Sequence, residues 1–314
     1  MPNRREMTPL VVREIISQTP SVVSVRLEDP EGKPLPPWEP GAHIDVQLIT
    51  RHERQYSLCG DPTDPTGYRI AVLREDLSRG ASHYIHSFLR VGSRVWTRPP
   101  RNLFTLGDAD SYLLLAAGIG ITPILSMARH LAATGAQWRM IYAVRHRDDV
   151  AFADELASFG DRVTVWVSSE AGRLDLASTL SGLAPGTDVY ACGPSRFTDG
   201  LDAVSALLPD SSHLHTERFE PKPREYRPNE AFTVVLARSN TSVEVPADRS
   251  MLHTLQGVGA DVQGSCLRGV CGSCALQVLD GVPEHRDSLT ADDGSMTIYP
   301  CVSRSLSPQL VVDA

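Results

Sequence analysis

A multidomain α/β plus β architecture is what this sequence predicts: an antiparallel β-barrel, a doubly wound α/β domain, and a small β-grasp-like domain at the end. Three observations carry the expectation. Up to about Arg101, short β-rich runs are broken by Pro and Gly turns. From Phe104 to Phe219, apolar strands alternate with helical stretches. In the last fifty residues, four of the six cysteines gather in and behind one glycine-rich loop.

The first region offers strands at Ser21–Leu27, His43–Leu48, Arg54–Leu58, Tyr68–Val72 and Arg94–Trp96. Short runs at that spacing are the punctuation of an antiparallel barrel or sandwich. In the second region Tyr112–Ala116, Arg139–Val144, Val163–Val167 and Asp188–Cys192 read as strands. Pro123–Ala133 and Phe152–Ser158 between them read as helices. That alternation signals βαβ units on a parallel sheet. The proline-rich, charged stretch Glu220–Asn229 suits a semi-rigid linker. Beyond it, Phe232–Ala237 and Ser242–Val245 read as strands leading to the cysteines. The expected division is 1–103, 104–222, a linker at 223–230, and 231–314.

At 314 residues, with 41% hydrophobic and 22% charged residues, the chain has the composition of a globular protein with two or three cores. Its most apolar run, Tyr112–Ala117, is far too short to span a membrane. The charged N-terminus Met1-Pro-Asn-Arg-Arg-Glu6 lacks an apolar export core, so a cytoplasmic protein is expected. A net charge of −8 argues against nucleic acid as a partner. Residues 231–314 hold nine Asp and Glu against five Arg and no Lys, so half the net charge lies on about a quarter of the chain. Such an acidic face serves either as a solubilising surface or to steer docking onto a basic partner.

The cysteines read Cys266-Leu-Arg-Gly-Val-Cys271-Gly-Ser-Cys274, then twenty-six residues, then Cys301. This is C-x4-C-x2-C…C, the plant-type [2Fe–2S] spacing. Four thiolates must surround two irons, and cluster sulfurs take backbone N–H donors. Gly264, Gly269 and Gly272 let the loop wrap closely enough to supply them. Zinc sites more often show paired C-x2-C knuckles or histidine ligands.

Two further patterns bear on chemistry. Arg54-Gln55-Tyr56-Ser57 offers a cation for a phosphate, an aromatic wall and a hydroxyl partner, as a flavin requires. Downstream, the strand holding Ala71 and Val72 runs into Arg79-Gly80-Ala81-Ser82, a turn into a helix start that suits a terminal phosphate. A plain strand–turn–helix cap with Ser82 as N-cap is the alternative. In the second region Ala117-Gly118-Ile119-Gly120-Ile121-Thr122-Pro123 links a buried strand to a helix, as a pyrophosphate site requires. Cys192-Gly193-Pro194 makes a second strand-to-glycine turn. Such glycines serve equally to pack helix on sheet, and an isolated cysteine is more often a small core residue.

Taken together, these residues resemble the phthalate dioxygenase reductase family of the ferredoxin–NADP⁺ reductase superfamily, over essentially the whole chain. The resemblance implies that Arg54, Gln55, Tyr56 and Ser57 bind FMN, with Ser57 approaching N5. Ala71, Val72, Arg79, Gly80, Ala81 and Ser82 would complete the flavin site, Ala81 standing where the family has a glycine. Gly118, Gly120, Thr122, Cys192, Gly193 and Pro194 would receive NADH, with Thr122 beside the nicotinamide and Cys192 near its reactive carbon. Ala117 replaces a frequent glycine. His215-Thr-Glu217-Arg-Phe219 resembles the family's H-x-E-x-F element, whose phenylalanine stacks on the flavin. Ser57, Thr122 and Cys192 would be catalytic, and Cys266, Cys271, Cys274 and Cys301 would hold the metal.

The implied activity is transfer of electrons from NADH through FMN and the [2Fe–2S] centre to a Rieske-type oxygenase component. That partner would dock on the acidic C-terminal domain and act on an aromatic or related substrate. NADH over NADPH is expected because Glu170 would repel a 2′-phosphate, although Arg145, Arg147 and Arg173 stand nearby. Two alternatives remain: an FAD-containing reductase of a diiron or cytochrome P450 monooxygenase, and a non-catalytic ferredoxin-type carrier. The carrier would need only residues 231–314.

Overall fold

The computed structural model describes residues 7–49, 53–75, 80–289 and 294–314. Along the chain it divides into two compact units, with the boundary between Glu217 and Arg218.

The N-terminal unit holds two sheets. The first comprises β1 (Thr8–Thr19), β2 (Val22–Glu28), β3 (Ala42–Gln47), β4 (Glu53–Ser57), β5 (Gly67–Leu73), β6 (Arg94–Thr97) and β7 (Arg101–Asn102), with α1 (Ala81–Ser87) inserted before β6. Its order is β4-β3-β6-β1-β2-β5, every pairing antiparallel, with β7 on β3. An antiparallel bridge from Leu58 to Ile70 joins the two ends, so the sheet curls into the expected barrel. Leu10, Val25, Leu27, Ile44, Val46, Leu58, Ile70 and Val95 fill it.

The long strand β1 was not among the runs read from the sequence. Its register shifts between Val12 and Glu14 and again between Ser17 and Thr19. A bulge moves following side chains to the other face and breaks the period-2 pattern that sequence reading relies on.

The second sheet is parallel, in the order β10 (Val163–Val167), β9 (Trp138–Val144), β8 (Ser111–Ala117), β11 (Thr187–Cys192), β12 (Leu214–Glu217). Between its strands run α2 (Ile121–Thr134), α3 (Ala153–Ser158), α4 (Ser168–Ala171), α5 (Leu176–Ser181) and α6 (Ser195–Val204). The strand order reverses direction between β8 and β11, the switch point at which such sheets bind ligands. Leu113, Leu114 and Leu115 of β8 are fully buried. The expected strands and helices of this region all form; β12, α4, α5 and α6 are additions.

The C-terminal unit is a mixed sheet, β14 (Thr241–Val245), β13 (Phe232–Leu236), β19 (Gln309–Val312), β15 (Leu276–Asp280), β17 (Thr297–Ile298), with a small pair β16 (Pro283–Glu284) and β18 (Arg304–Ser305). Helix α7 (Met251–Gly257) is capped by Ser250, whose side chain accepts from His253 N, and buries Met251, Leu252 and Leu255 on the sheet. A hairpin, a helix and a parallel return strand make the β-grasp-like domain. Residues 223–230, expected as a linker, are tied onto this unit: Tyr226 donates to Arg286 O, Arg227 to Ser305 O, and Asn229 to Ala247 O.

The packing makes a direct prediction. Leu115→Ala, in the centre of the parallel sheet, destabilises the protein by about 2–5 kcal/mol in denaturant unfolding. Val165→Ala, on the exposed edge strand β10, stays within about 0.5 kcal/mol. Equal losses from the two would mean that β8 is not the centre of the core.

Candidate functional site

The register of the barrel sets the first half of the site. In the β3–β4 pair, His43 faces Ser57, Asp45 faces Gln55 and Gln47 faces Glu53, while Ile44 and Val46 face Tyr56 and Arg54. Paired residues share a face. One face of β3 is therefore apolar and the other carries the buried polar groups His43, Asp45 and Gln47. Asp45 accepts from Gln55 Nε2 and from Arg101, and Glu53 pairs with Arg98 at 3.1 Å. Burial, helped by Arg101, pulls the His43 imidazole down to about 4, so it is neutral at physiological pH. These bonds brace β4, the strand that carries Arg54–Ser57, from behind.

Ser57 is buried and its Oγ donates to Glu217 Oε2 at 3.4 Å. The parallel pairing of β11 with β12 sets Tyr190 beside His215 and Cys192 beside Glu217. His215 stacks on Tyr190 at 4.4 Å between ring centroids, and its Nε2 lies 3.0 Å from Asp188 Oδ2. It thus anchors the strand end. Cys192, fully buried, lies 3.9 Å from the same Glu217 oxygen. Ser57, Cys192 and Glu217 come together from three strands of two sheets.

Glu217 keeps part of its surface exposed, yet desolvation of its carboxyl pushes the pKa up to about 8. Burial, with the Glu217 charge adding to it, raises the Cys192 thiol well above its ordinary value. A neutral thiol and a protonated carboxyl at neutral pH make a polar, uncharged site whose carboxyl can give one proton. The sequence marks Glu217 only as part of a motif; its role depends on the β11–β12 register, which sequence spacing does not reveal.

The two candidate pyrophosphate glycines differ. Gly118 adopts φ +55° and a side chain there would meet nothing within 4 Å, so backbone is open to a ligand at the end of β8. A Cβ on Gly120 would lie 2.2 Å from the Cys192 carbonyl oxygen, so this glycine serves the close approach of β8 and β11. Gly193 is close-packed too, against Ala117 and Phe197, and Pro194 precedes α6 as its N-cap. Thr122 is buried in the first turn of α2, its hydroxyl donating to Ile119 O at 3.0 Å.

At α1 the structure corrects the capping alternative: Gly80, at φ +105°, is the N-cap, and Ser82 is the second helical residue. The Ser82 Oγ accepts from Glu75 N at 3.4 Å, and Ala81 is buried beside it. Ala71 and Val72 are buried in β5, with Val72 O bonded to His86 Nε2. Arg79 lies outside the described residues. Arg54 donates to Glu53 O at 2.7 Å, and burial raises the Tyr56 hydroxyl pKa.

In the C-terminal unit the thiols assemble as two pairs, Cys271 hydrogen-bonded to Cys266 and Cys301 to Cys274. Backbone N–H groups turn toward the sulfurs: Arg268 and Val270 toward Cys266, Ser273 toward Cys271, Gly269 toward Cys301. Leu267, Gly269 and Gly272 all take positive φ to make this wrap possible. A Cβ on Gly269 would lie 2.9 Å from Asp287 Cα, so the loop admits only glycine there. Two thiol pairs ringed by N–H donors are the donor set that a two-iron cluster needs. Phe219 belongs to this unit, its carbonyl accepting from Arg268 Nη2 at 3.3 Å.

The Glu217 carboxyl makes stability depend on pH. Its proton is held in the folded state up to about pH 8, while an unfolded chain releases it near the ordinary 4.5. Stability from this group therefore falls as pH rises from about 5 to 8 and levels off above. Glu217→Gln flattens that slope in thermal midpoints measured across the range; an unchanged slope would mean that the carboxyl ionises normally.

Comparison with known proteins shows the family. The oxidoreductase NAD-binding domain model matches residues 114–202, and the 2Fe-2S iron-sulfur cluster binding domain model matches residues 234–305. The chain is 41% identical over 283 residues to the heme-dependent oxidative N-demethylase beta subunit of Ectopseudomonas mendocina (strain ymp), covering 89% of this chain and 90% of that one. It is 40% identical over 297 residues to phthalate dioxygenase reductase of Burkholderia cepacia, 92% of each chain. A solved phthalate dioxygenase reductase structure superposes with a TM-score of 0.73 at 36% identity over 100% of both chains. An intact type IV self-sufficient cytochrome P450 monooxygenase matches 98% of this chain with a TM-score of 0.91 at 39% identity, the match spanning 41% of that longer protein. With a parallel nicotinamide-type sheet, a curled antiparallel barrel and a four-thiol loop in one sequence, the chain belongs to the phthalate dioxygenase reductase family and is an NAD-dependent iron–sulfur flavoprotein oxidoreductase.

Proposed function

We propose that this chain is the cytoplasmic reductase component of a multicomponent, Rieske-type oxygenase, carrying electrons from NADH through FMN and a [2Fe–2S] centre to the oxygenase. The observation that carries the reading is the meeting of Ser57, Cys192 and Glu217 at the sheet's switch point, in one chain with a paired-thiol loop. When bound, FMN supplies the conversion of a two-electron hydride into the single electrons that a [2Fe–2S] centre accepts.

The residues have the following parts. Ser57, held by Glu217 at the end of β4, would present its hydroxyl to the flavin. Gly118 leaves backbone open for the dinucleotide phosphates, and Cys192, buried at the end of β11, would lie near the nicotinamide. Glu217, protonated at neutral pH, can give its carboxyl proton to a group that is reduced at the site. Arg54 and the α1 turn would take the flavin phosphate. The four cysteines hold the cluster, and the acidic C-terminal domain would receive a basic face of the oxygenase.

NADH is the donor in this reading. Arg147 pairs with Glu170 at 2.6 Å, beyond the ends of β9 and β10, where the adenosine would lie in this reading. An arginine already paired with a carboxylate is a poor clamp for a 2′-phosphate, and Glu170 repels one. A P450 partner is the second reading, favoured by the TM-score of 0.91 to the self-sufficient monooxygenase. Chromatography of the released flavin, FMN or FAD, bears on the choice, and reduction of an added Rieske protein against an added P450 decides it.

Added anaerobically, NADH bleaches both flavin and iron–sulfur absorbance, with kcat/KM well above that for NADPH; a preference for NADPH would make Arg145, Arg147 and Arg173 the phosphate clamp. Cys301→Ser abolishes the cluster and cytochrome c reduction but leaves ferricyanide reduction by the flavin largely intact. Normal iron and sulfide content in that variant would remove Cys301 from the ligand set.

A further inference from the structure

Elsewhere in the N-terminal unit, one carboxylate ties the barrel to the parallel sheet. Arg69 of β5 forms a two-pronged pair with Glu155 of α3, its Nη2 donating to Oε2 at 3.0 Å. Arg129 of α2 donates to the same carboxylate. All three side chains are part-buried. Burial alone would raise the Glu155 pKa, but Arg69 and Arg129 outweigh it and hold the carboxyl below its ordinary value.

Neighbouring contacts fix the arrangement further. The same guanidinium donates through Nη2 and Nε to Cys59 O, at 2.6 and 3.2 Å, which holds it in one rotamer. It also lies 5.0 Å over the ring of Phe152. Phe152, the N-cap of α3, is buried in the left-handed region at φ +59°, a conformation its β-carbon disfavours. Its N–H donates to Gln18 Oε1 of β1 at 3.2 Å. A bulky residue held in that conformation between barrel and sheet marks a junction that the surrounding contacts over-determine.

The placement suggests what the junction does. Arg69 is two residues from Ala71 on β5, the strand of the proposed flavin site, and Arg129 lies on α2, whose first turn follows Gly118 and Gly120. We infer that Glu155 is a positioning residue for hydride transfer: by joining β5 to α2 it sets the spacing between flavin and nicotinamide. The inference rests on the functional reading above. Hydride transfer needs its two rings at near-attack distance, and a displacement of about 1 Å costs on the order of a hundred-fold in rate.

Stopped-flow reduction by NADH without oxygen tests this in the full-length holoprotein. Glu155→Gln keeps shape and flavin content but loses the two ion pairs, and its limiting reduction rate falls about ten-fold or more while the NADH dissociation constant changes little. Glu155→Asp, which keeps the charge, recovers part of the rate. The flavin–nicotinamide charge-transfer absorbance weakens in step with the rate. Arg69→Lys, retaining charge without the two-pronged geometry, gives an intermediate loss and serves if the glutamine variant does not fold. A limiting rate within about two-fold of the unmodified protein in Glu155→Gln or Arg69→Lys, even with a lowered Tm, would overturn the inference and leave the junction purely structural. If NADH fails to reduce the unmodified protein's flavin, it is the functional reading that falls.

Discussion

Everything at the centre of the N-terminal unit depends on one pairing: β12 lies parallel to β11 in the register that sets Glu217 beside Cys192. A shift of one residue would turn Glu217 to the opposite face of the sheet. The register is secured away from the site, by His215 stacked on Tyr190 and by Asp188 bonded to both His213 and His215. The barrel then supplies Ser57 from the other side. A carboxyl that would ordinarily be ionised is thereby confined between a serine hydroxyl and a thiol, where burial favours its neutral form.

The barrel tolerates a polar strand because its polar groups are satisfied. Asp45 is fully buried and would be costly alone, yet it is bonded to Gln55 and Arg101, and the buried Glu53 is paired with Arg98. These bonds attach to alternate residues of β4, which leaves Arg54 and Tyr56 on the opposite face. That face is shared with Ile44 and Val46 of the barrel core, so the strand is held on both sides, a suitable mount for a cofactor.

The C-terminal unit solves a different problem with backbone. The four thiols find their partners in backbone N–H groups and in one another. The loop takes positive φ at Leu267, Gly269 and Gly272, and so aims its N–H groups at the sulfurs. Arg304 stabilises the surrounding frame, its guanidinium bonded to the carbonyls of Arg249, Glu230 and Pro246 and stacked on Phe232. The segment after Phe219 is bound to this frame, which is why a proline-rich stretch that reads as a spacer is part of the domain.

The sequence by itself determined the order of barrel, parallel sheet and cysteine domain, because alternation, βαβ periodicity and C-x4-C-x2-C spacing are local patterns. It also marked the four thiols by their spacing and a strand at Arg54–Ser57 by its residues. Only the tertiary structure decided that Glu217 joins Ser57 and Cys192, and that Gly118 is open while Gly120 is close-packed. It alone placed Gly80 rather than Ser82 at the cap of α1, and drew Arg69, Arg129 and Glu155 into one junction. β1 escaped sequence reading for a related reason: its bulges erase the alternation. Each of these features is set by register or by contacts between segments far apart in the chain, and neither leaves a periodic trace in the residues that make it.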